Sequence, residues 1–195
     1  MKHEDAARFP FPLKGGTCDS FHELSYDRES GSYCIDETST AAEIEAVDFD
    51  AFKEAVYQPL RGKTGRLPCS VDALYLHRDT LYAVEFKTGT PENWNLIRKA
   101  YDTVMCLTEH GMRGFSYEWA RCHMTYVVVC SDEGVKKSIG GSKVANRVLH
   151  YTGKRMYSGG KRFENLQTIA GVLVSNVFVQ TPVDFENFAK KLNWE

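Results

Sequence analysis

The stretch Cys69–Gly89, CSVDALYLHRDTLYAVEFKTG, decides how this chain is read. Ser70 to His77 and Thr80 to Thr88 are rich in β-branched and aromatic residues and flank a short polar turn, the pattern of a two-stranded hairpin. Side chains alternate faces along a strand, so Glu85 and Lys87 share a side with Leu81 and Ala83. A turn centred between Arg78 and Asp79 pairs His77 with Thr80 and Leu76 with Leu81, which brings Asp72 across from Glu85. A three-residue loop would shift that pairing by one. In the paired register two carboxylates stand ~5 Å apart, unfavourable by up to roughly 1 kcal/mol if uncompensated. Solvent exposure, a shared proton or a bound cation would each relieve them. Lys87 adds one positive charge on the same face, and two carboxylates with a nearby backbone carbonyl and waters suit Mg²⁺. A metal held by Asp72 and Glu85 would polarise a phosphodiester, lower the pKa of a bound water and stabilise charge developing on the phosphoryl oxygens. Lys87 would orient or help deprotonate the attacking water, or neutralise that same charge. The plainer alternative stays open: an Asp at a strand entry often accepts turn hydrogen bonds, and Glu/Lys alternation often marks a wet face.

Outward from the hairpin, Phe49, Phe52, Val56 and Leu60 recur at three- and four-residue steps and predict an amphipathic helix over Asp50 to Leu60. Thr90-Pro91-Glu92 starts a second helix that Gly111 closes, with Trp94, Ile97, Tyr101, Val104 and Thr108 on one face read as core packing. Met124 to Cys130 (MTYVVVC) is an apolar run suited to a strand covered on both sides. Beyond it come a helix around Ser142–Leu149, a strand around Val172–Gln180 and a final helix from Asp184 to Leu192. Before the hairpin lie two short expected strands, Phe21–Tyr26 and Tyr33–Asp36. The expectation is a single α/β domain over 1–195: a central mixed β-sheet flanked by helices. Within it, 1–48 forms an irregular N-terminal segment, 49–131 the motif-bearing core, and 132–195 the C-terminal elements with a basic loop.

The chain has 195 residues, 43% of them hydrophobic, with 24 Lys+Arg against 26 Asp+Glu. That composition argues against a disordered chain, a collagen-like repeat or a coiled coil, and no apolar run is long enough to cross a bilayer. The amino end lacks the basic-then-apolar order of a signal peptide, so the expected location is cytoplasmic, with six scattered cysteines as reduced thiols. Charge is uneven. Met1 to Glu54 holds 13 acids against 5 bases, a net of −8. Lys136 to Arg162 holds eight bases and no acid, interleaved with glycines and aromatics. Such a stretch suits contact with a polyanion through Lys143, Arg147, Lys154, Arg155, Lys161 and Arg162. It equally suits a solvated loop that balances the acidic front half. No Walker loop, dinucleotide fingerprint, nucleophile elbow or HExxH pair is present.

An Asp on one strand, a short hairpin, Glu85-x-Lys87 on the next strand, then a helix and a buried strand: this order resembles the PD-(D/E)XK nuclease superfamily, with its restriction-endonuclease-like core. The resemblance spans about Asp50 to Cys130. It implies metal-binding carboxylates at Asp72 and Glu85, a carbonyl ligand at Phe86, a catalytic Lys87, and Mg²⁺ or Mn²⁺ as cofactor. It implies DNA, in some members RNA, as substrate, and some members only bind. Members often add an acid from the first core helix, for which Glu54 is best placed and Glu45 second. Lys99 or Arg98 on the following helix is placed to reach a phosphate. Val71 stands where the motif's name has proline, and Ile97 stands where one branch of the superfamily has a glutamine four residues before a tyrosine. The functional expectation is a metal-dependent nuclease acting on DNA, with a catalytically inactive nucleic-acid-binding or protein-interaction module as the alternative. Membrane association is not expected, and the sequence leaves the oligomeric state open, a homodimer included.

Overall fold

The computed structural model describes residues 16–57, 67–89, 92–111, 114–131 and 165–194. Six strands form one mixed sheet: β1 (Thr17–Ser20), β4 (Glu45–Asp48), β5 (Ala73–His77), β6 (Thr80–Lys87), β7 (Met124–Cys130) and β8 (Asn176–Gln180), neighbours in that order. From β1 to β6 every pair is antiparallel, whereas β6–β7 and β7–β8 are parallel. A separate small hairpin pairs β2 (Tyr26–Asp27) with β3 (Ser32–Tyr33). Helices within the described residues include α1 (Phe21–Leu24), α2 (Phe49–Tyr57), α3 (Asn93–Cys106), α4 (Tyr117–His123) and α5 (Pro182–Leu192). The class is α/β, as the sequence pattern predicts.

Alternation along the strands sorts the core into two layers. Leu81 and Ala83 of β6 and Tyr126 and Val128 of β7 pack with Phe49 and Phe52 of α2 and Leu96, Ala100 and Val104 of α3. On the opposite face Tyr82, Val84 and Phe86 meet Phe21 of α1, Phe185 and Ala189 of α5, and Trp194. Both faces are covered, so all seven residues of β7 are buried, in keeping with its unbroken apolar run.

Local chemistry sets several ends. Thr181 caps α5 through the Asp184 N–H (3.2 Å), Pro182 begins the helix, and Asn193 ends it at φ 53°; these are preferred start and stop residues. Arg78, at φ 54°, takes the left-handed backbone in the two-residue turn between β5 and β6. Phe21–Tyr26, expected as a strand, instead begins as α1, because Ser20 caps the turn at the Glu23 N–H (3.2 Å) and Phe21 is fully buried. The N-terminal segment expected to be irregular supplies β1 and β4 to the central sheet.

The second helix also departs from expectation. Glu92 is its N-cap, without a side-chain cap bond, and a π-helical turn, Leu107–Gly111, follows α3. Its buried stripe is Leu96, Ala100, Thr103 and Val104, while Trp94 (59% exposed) and Tyr101 (44%) face outward. Of the expected face, Val104 is buried and Ile97 packs against the core, while Trp94, Tyr101 and Thr108 are exposed. Small and polar residues, Ala100 and Thr103, occupy the tight approach to the sheet, where hydrophobicity alone would not place them. Thr90, Pro91 and the helix expected around Ser142–Leu149 lie outside the described residues.

Candidate functional site

The hairpin forms in the expected register: His77 pairs with Thr80, Leu76 with Leu81, and so on to Ala73 with Val84. One step before Asp72 and Glu85 would face each other, the ladder breaks. The Asp72 N–H donates to the Val84 carbonyl (3.1 Å), the Asp72 carbonyl accepts from Phe49 (3.1 Å), and the Phe86 N–H donates to the Asp72 carboxylate at 2.6 Å. Val71 joins the α2/α3 layer together with Leu74, an odd–even switch that marks a local bulge at this point. The Asp72 carboxylate lies on the Glu85 side of the sheet, where the Lys99 ammonium reaches both.

Glu85 has no solvent exposure, although it is a carboxylate in the middle of a core strand. Burying such a charge is unfavourable unless it is paired and hydrogen-bonded. Two ammonium groups pair it. Lys99 of α3 reaches Oε1 and Oε2 at 2.6 and 2.8 Å, and Lys87 reaches Oε1 at 2.8 Å. Lys99 also lies 3.5 Å from Asp72 Oδ1, so both carboxylates converge on one nitrogen. Burial and the Glu85 charge push the Asp72 carboxyl up to about 7, against the opposing pull of Lys99, Lys87 and the Phe86 N–H. Burial would lower Lys99, but the charges of Glu85 and Asp72 outweigh it and raise the ammonium above its ordinary range; the same opposition, led by Glu85, raises Lys87.

A third acid stands at the margin, and it is one the sequence reading did not select. Asp50, in the first turn of α2, accepts from Lys53 (2.5 Å) and from the Ser70 hydroxyl, while Lys53 also donates to Ser70 at 2.8 Å. Burial would raise the Asp50 carboxyl, but Lys53 and Ser70 outweigh it, with help from the Lys99 charge, and hold it below the usual range. Glu54, the acid expected from this helix, is exposed one turn farther on. The sequence signal for Asp50 was its place in the first turn of α2.

The site therefore assembles Asp72, Glu85 and Lys87 as the sequence suggests, with Lys99 drawn inward onto the carboxylates. Three acids, Asp50, Asp72 and Glu85, are balanced by three bases, Lys53, Lys87 and Lys99. The loop that delivers Asp72 is tied to α3: the Cys69 N–H donates to Asp102 (2.9 Å) and the Val71 N–H to Thr103 Oγ1 (3.2 Å). Phe86 sends its side chain into the opposite layer, leaving its backbone at the site. Among the described residues no three His, Cys, Asp or Glu side chains lie close enough together to hold a metal ion. A metal here would rest on the two carboxylates, a carbonyl and water, the sparse donor set that Mg²⁺ accepts. Lys143, Arg147, Lys154, Arg155, Lys161 and Arg162 lie outside the described residues.

All six cysteines are free thiols, with Cys34, Cys106 and Cys130 buried. Burial pushes Cys34 and Cys130 up to about 12, which makes them inert core groups. Among the described residues no helix is long and apolar enough to cross a membrane. Comparison with protein-family models, with curated proteins and with solved structures gives no match for the chain.

Proposed function

We propose that this chain is a metal-dependent nuclease that hydrolyses phosphodiester bonds in DNA, built on a restriction-endonuclease-like core. The observation that carries this reading is the convergence of Asp72 and Glu85 on a single ammonium, beside Lys87, at the carboxyl end of β6. The antiparallel run β4-β5-β6 followed by α3 and a parallel β7 is consistent with the core that the motif implies. The residues also fit a cation. Asp72 and Glu85 stand close enough to share one counter-charge, the Lys99 ammonium at 3.5 and 2.6 Å. Asp72, Glu85 and the Phe86 carbonyl would hold Mg²⁺ or Mn²⁺, which supplies a polarised phosphoryl oxygen and an acidified water when bound. Lys87 is 35% exposed at its side chain, open enough to orient a water or meet a phosphate oxygen from the solvent side. The eight bases of Lys136–Arg162 supply charge for the backbone.

A second reading rests on the same charge count. With three acids matched by three lysines, the site is already neutral, and a catalytically inactive module that only binds nucleic acid would need no metal.

Parallel digestion of linear duplex, single-stranded and branched DNA with and without Mg²⁺ or Mn²⁺ separates the two. The expected result is metal-dependent cleavage that falls at least 10²-fold in Asp72→Asn, Glu85→Gln and Lys87→Ala, each variant keeping its circular-dichroism spectrum. Amide replacements are chosen at the two carboxylates because Glu85→Ala would take from Lys87 and Lys99 the partner they share. Full activity in any folded variant removes that residue from the mechanism, and no cleavage under any metal favours the inactive module.

A further inference from the structure

Lys99 was expected to reach a phosphate, yet its ammonium contacts both carboxylates that the nuclease reading assigns to a metal. It donates to both oxygens of Glu85 and approaches Asp72, while its side chain is only 21% exposed. Its stem comes from α3, the helix whose Asp102 and Thr103 clamp the strand entry that delivers Asp72. Lys87 also pairs with Glu85 at 2.8 Å, so Lys99 is not the sole partner of that carboxylate. An ammonium and a divalent cation cannot both occupy that gap, because their like charges would meet at close range in a poorly screened interior.

We infer that Lys99 is the resident counter-ion of the Asp72–Glu85 pair: it yields its place to a divalent cation and then turns outward, where it contacts a substrate phosphate. The inference rests on the nuclease reading but makes a separate statement about metal loading. Lys99 competes with the cation for the same oxygens, so it weakens metal affinity in the free protein. Once released, it contributes one phosphate contact, which couples metal occupancy to grip on the nucleic acid. A lysine with only a structural role would show neither property.

Two measurements on the full chain test this without reference to cleavage. Mn²⁺ binding, followed by loss of the free-ion paramagnetic resonance signal, is expected to tighten at least about tenfold in Lys99→Met and to stay near wild type in Lys99→Arg. In the wild-type chain, reductive methylation read by mass spectrometry is expected to show Lys99 protected without metal and several-fold more reactive with saturating Mn²⁺. Lys191, exposed on α5 away from the site, serves as the internal reference. If the wild type binds Mn²⁺ and Lys99→Met binds it no more tightly, or Lys99 labelling does not rise, the counter-ion role is wrong while the nuclease reading stands. If only Lys99→Met binds Mn²⁺, Lys99 is a fixed counter-ion that does not yield, and both the exchange and the metal-nuclease reading fall. If neither binds, both fall.

Discussion

At Asp72 the fold works against ionisation, and that has a measurable consequence. An aspartate in the unfolded chain loses its proton near ~3.9, whereas burial and Glu85 hold the folded one up to about 7. Between those two values the folded chain keeps a proton that the unfolded chain has released. Stability contributed by this group is therefore intact below about pH 4 and falls as pH rises towards 7, beyond which the loss is constant. Asp72→Asn keeps an oxygen for the Phe86 N–H and removes the titration. It is expected to be more stable than the parent by on the order of 2 kcal/mol at pH 8 and indistinguishable at pH 4, with thermal midpoints across the range as the check. A constant difference between the two proteins at all pH values would show that Asp72 ionises normally. The residues of this site were unequally legible. Asp72, Glu85 and Lys87 could be read because strand alternation and a two-residue turn leave little freedom in which way a side chain points. Lys99 and Asp50 could not, because they arrive on helices whose rotation is settled only by packing.

At the scale of elements, α3 does more than cover the sheet. Its Thr103 is fully buried and receives the Val71 N–H, and its Asp102 receives the Cys69 N–H while pairing with Arg98 at 3.4 Å. The strand entry before β5 has left its ladder at the bulge, so side chains of α3 stand in for the missing strand partners. Thr103→Val preserves shape but leaves a buried donor unmet, at an expected cost of about 1–3 kcal/mol. Because the loosened segment carries Asp72, activity is expected to fall farther than the denaturation midpoint implies, and equal losses in both would mean that α3 only packs. The helix itself was legible from its length and spacing, and so was Val104 on its buried face, but the outward turn of Trp94 and Tyr101 was not. The sequence pattern favours Trp94 and Tyr101, whereas the sheet accepts Ala100 and Thr103, because close approach selects for size as well as for oiliness.

Across the whole molecule, the two ends of the described chain meet on one face of the sheet. Trp194 lies against Phe21, Tyr75, Tyr82, Phe185 and Phe188, with ring centroids 4.6 to 6.1 Å apart. It joins α5 to α1 and to the hairpin that builds the site. Trp194→Ala is expected to cost about 3–5 kcal/mol and to lower the urea midpoint without changing the slope, because the layers unfold together. Two separate transitions would show that the N-terminal strands form a unit of their own. The α/β class was legible because apolar runs and helical spacing alternate along the chain. The joining of β1 and β4 to the sheet was not, since short polar strands borrow their stability from neighbours.

The switch from antiparallel to parallel pairing at β6 also orders events in time. One side of that strand meets a partner across two residues of turn, and the other waits for β7 and β8, which arrive only after long excursions of chain. Loop closure favours the near contact, so the carboxylate-bearing hairpin is expected to zip early, before the far half of the sheet docks. During that interval Glu85 lacks the cover of β7, and a nascent chain would hold a hydrated, open acid pair that the finished protein encloses.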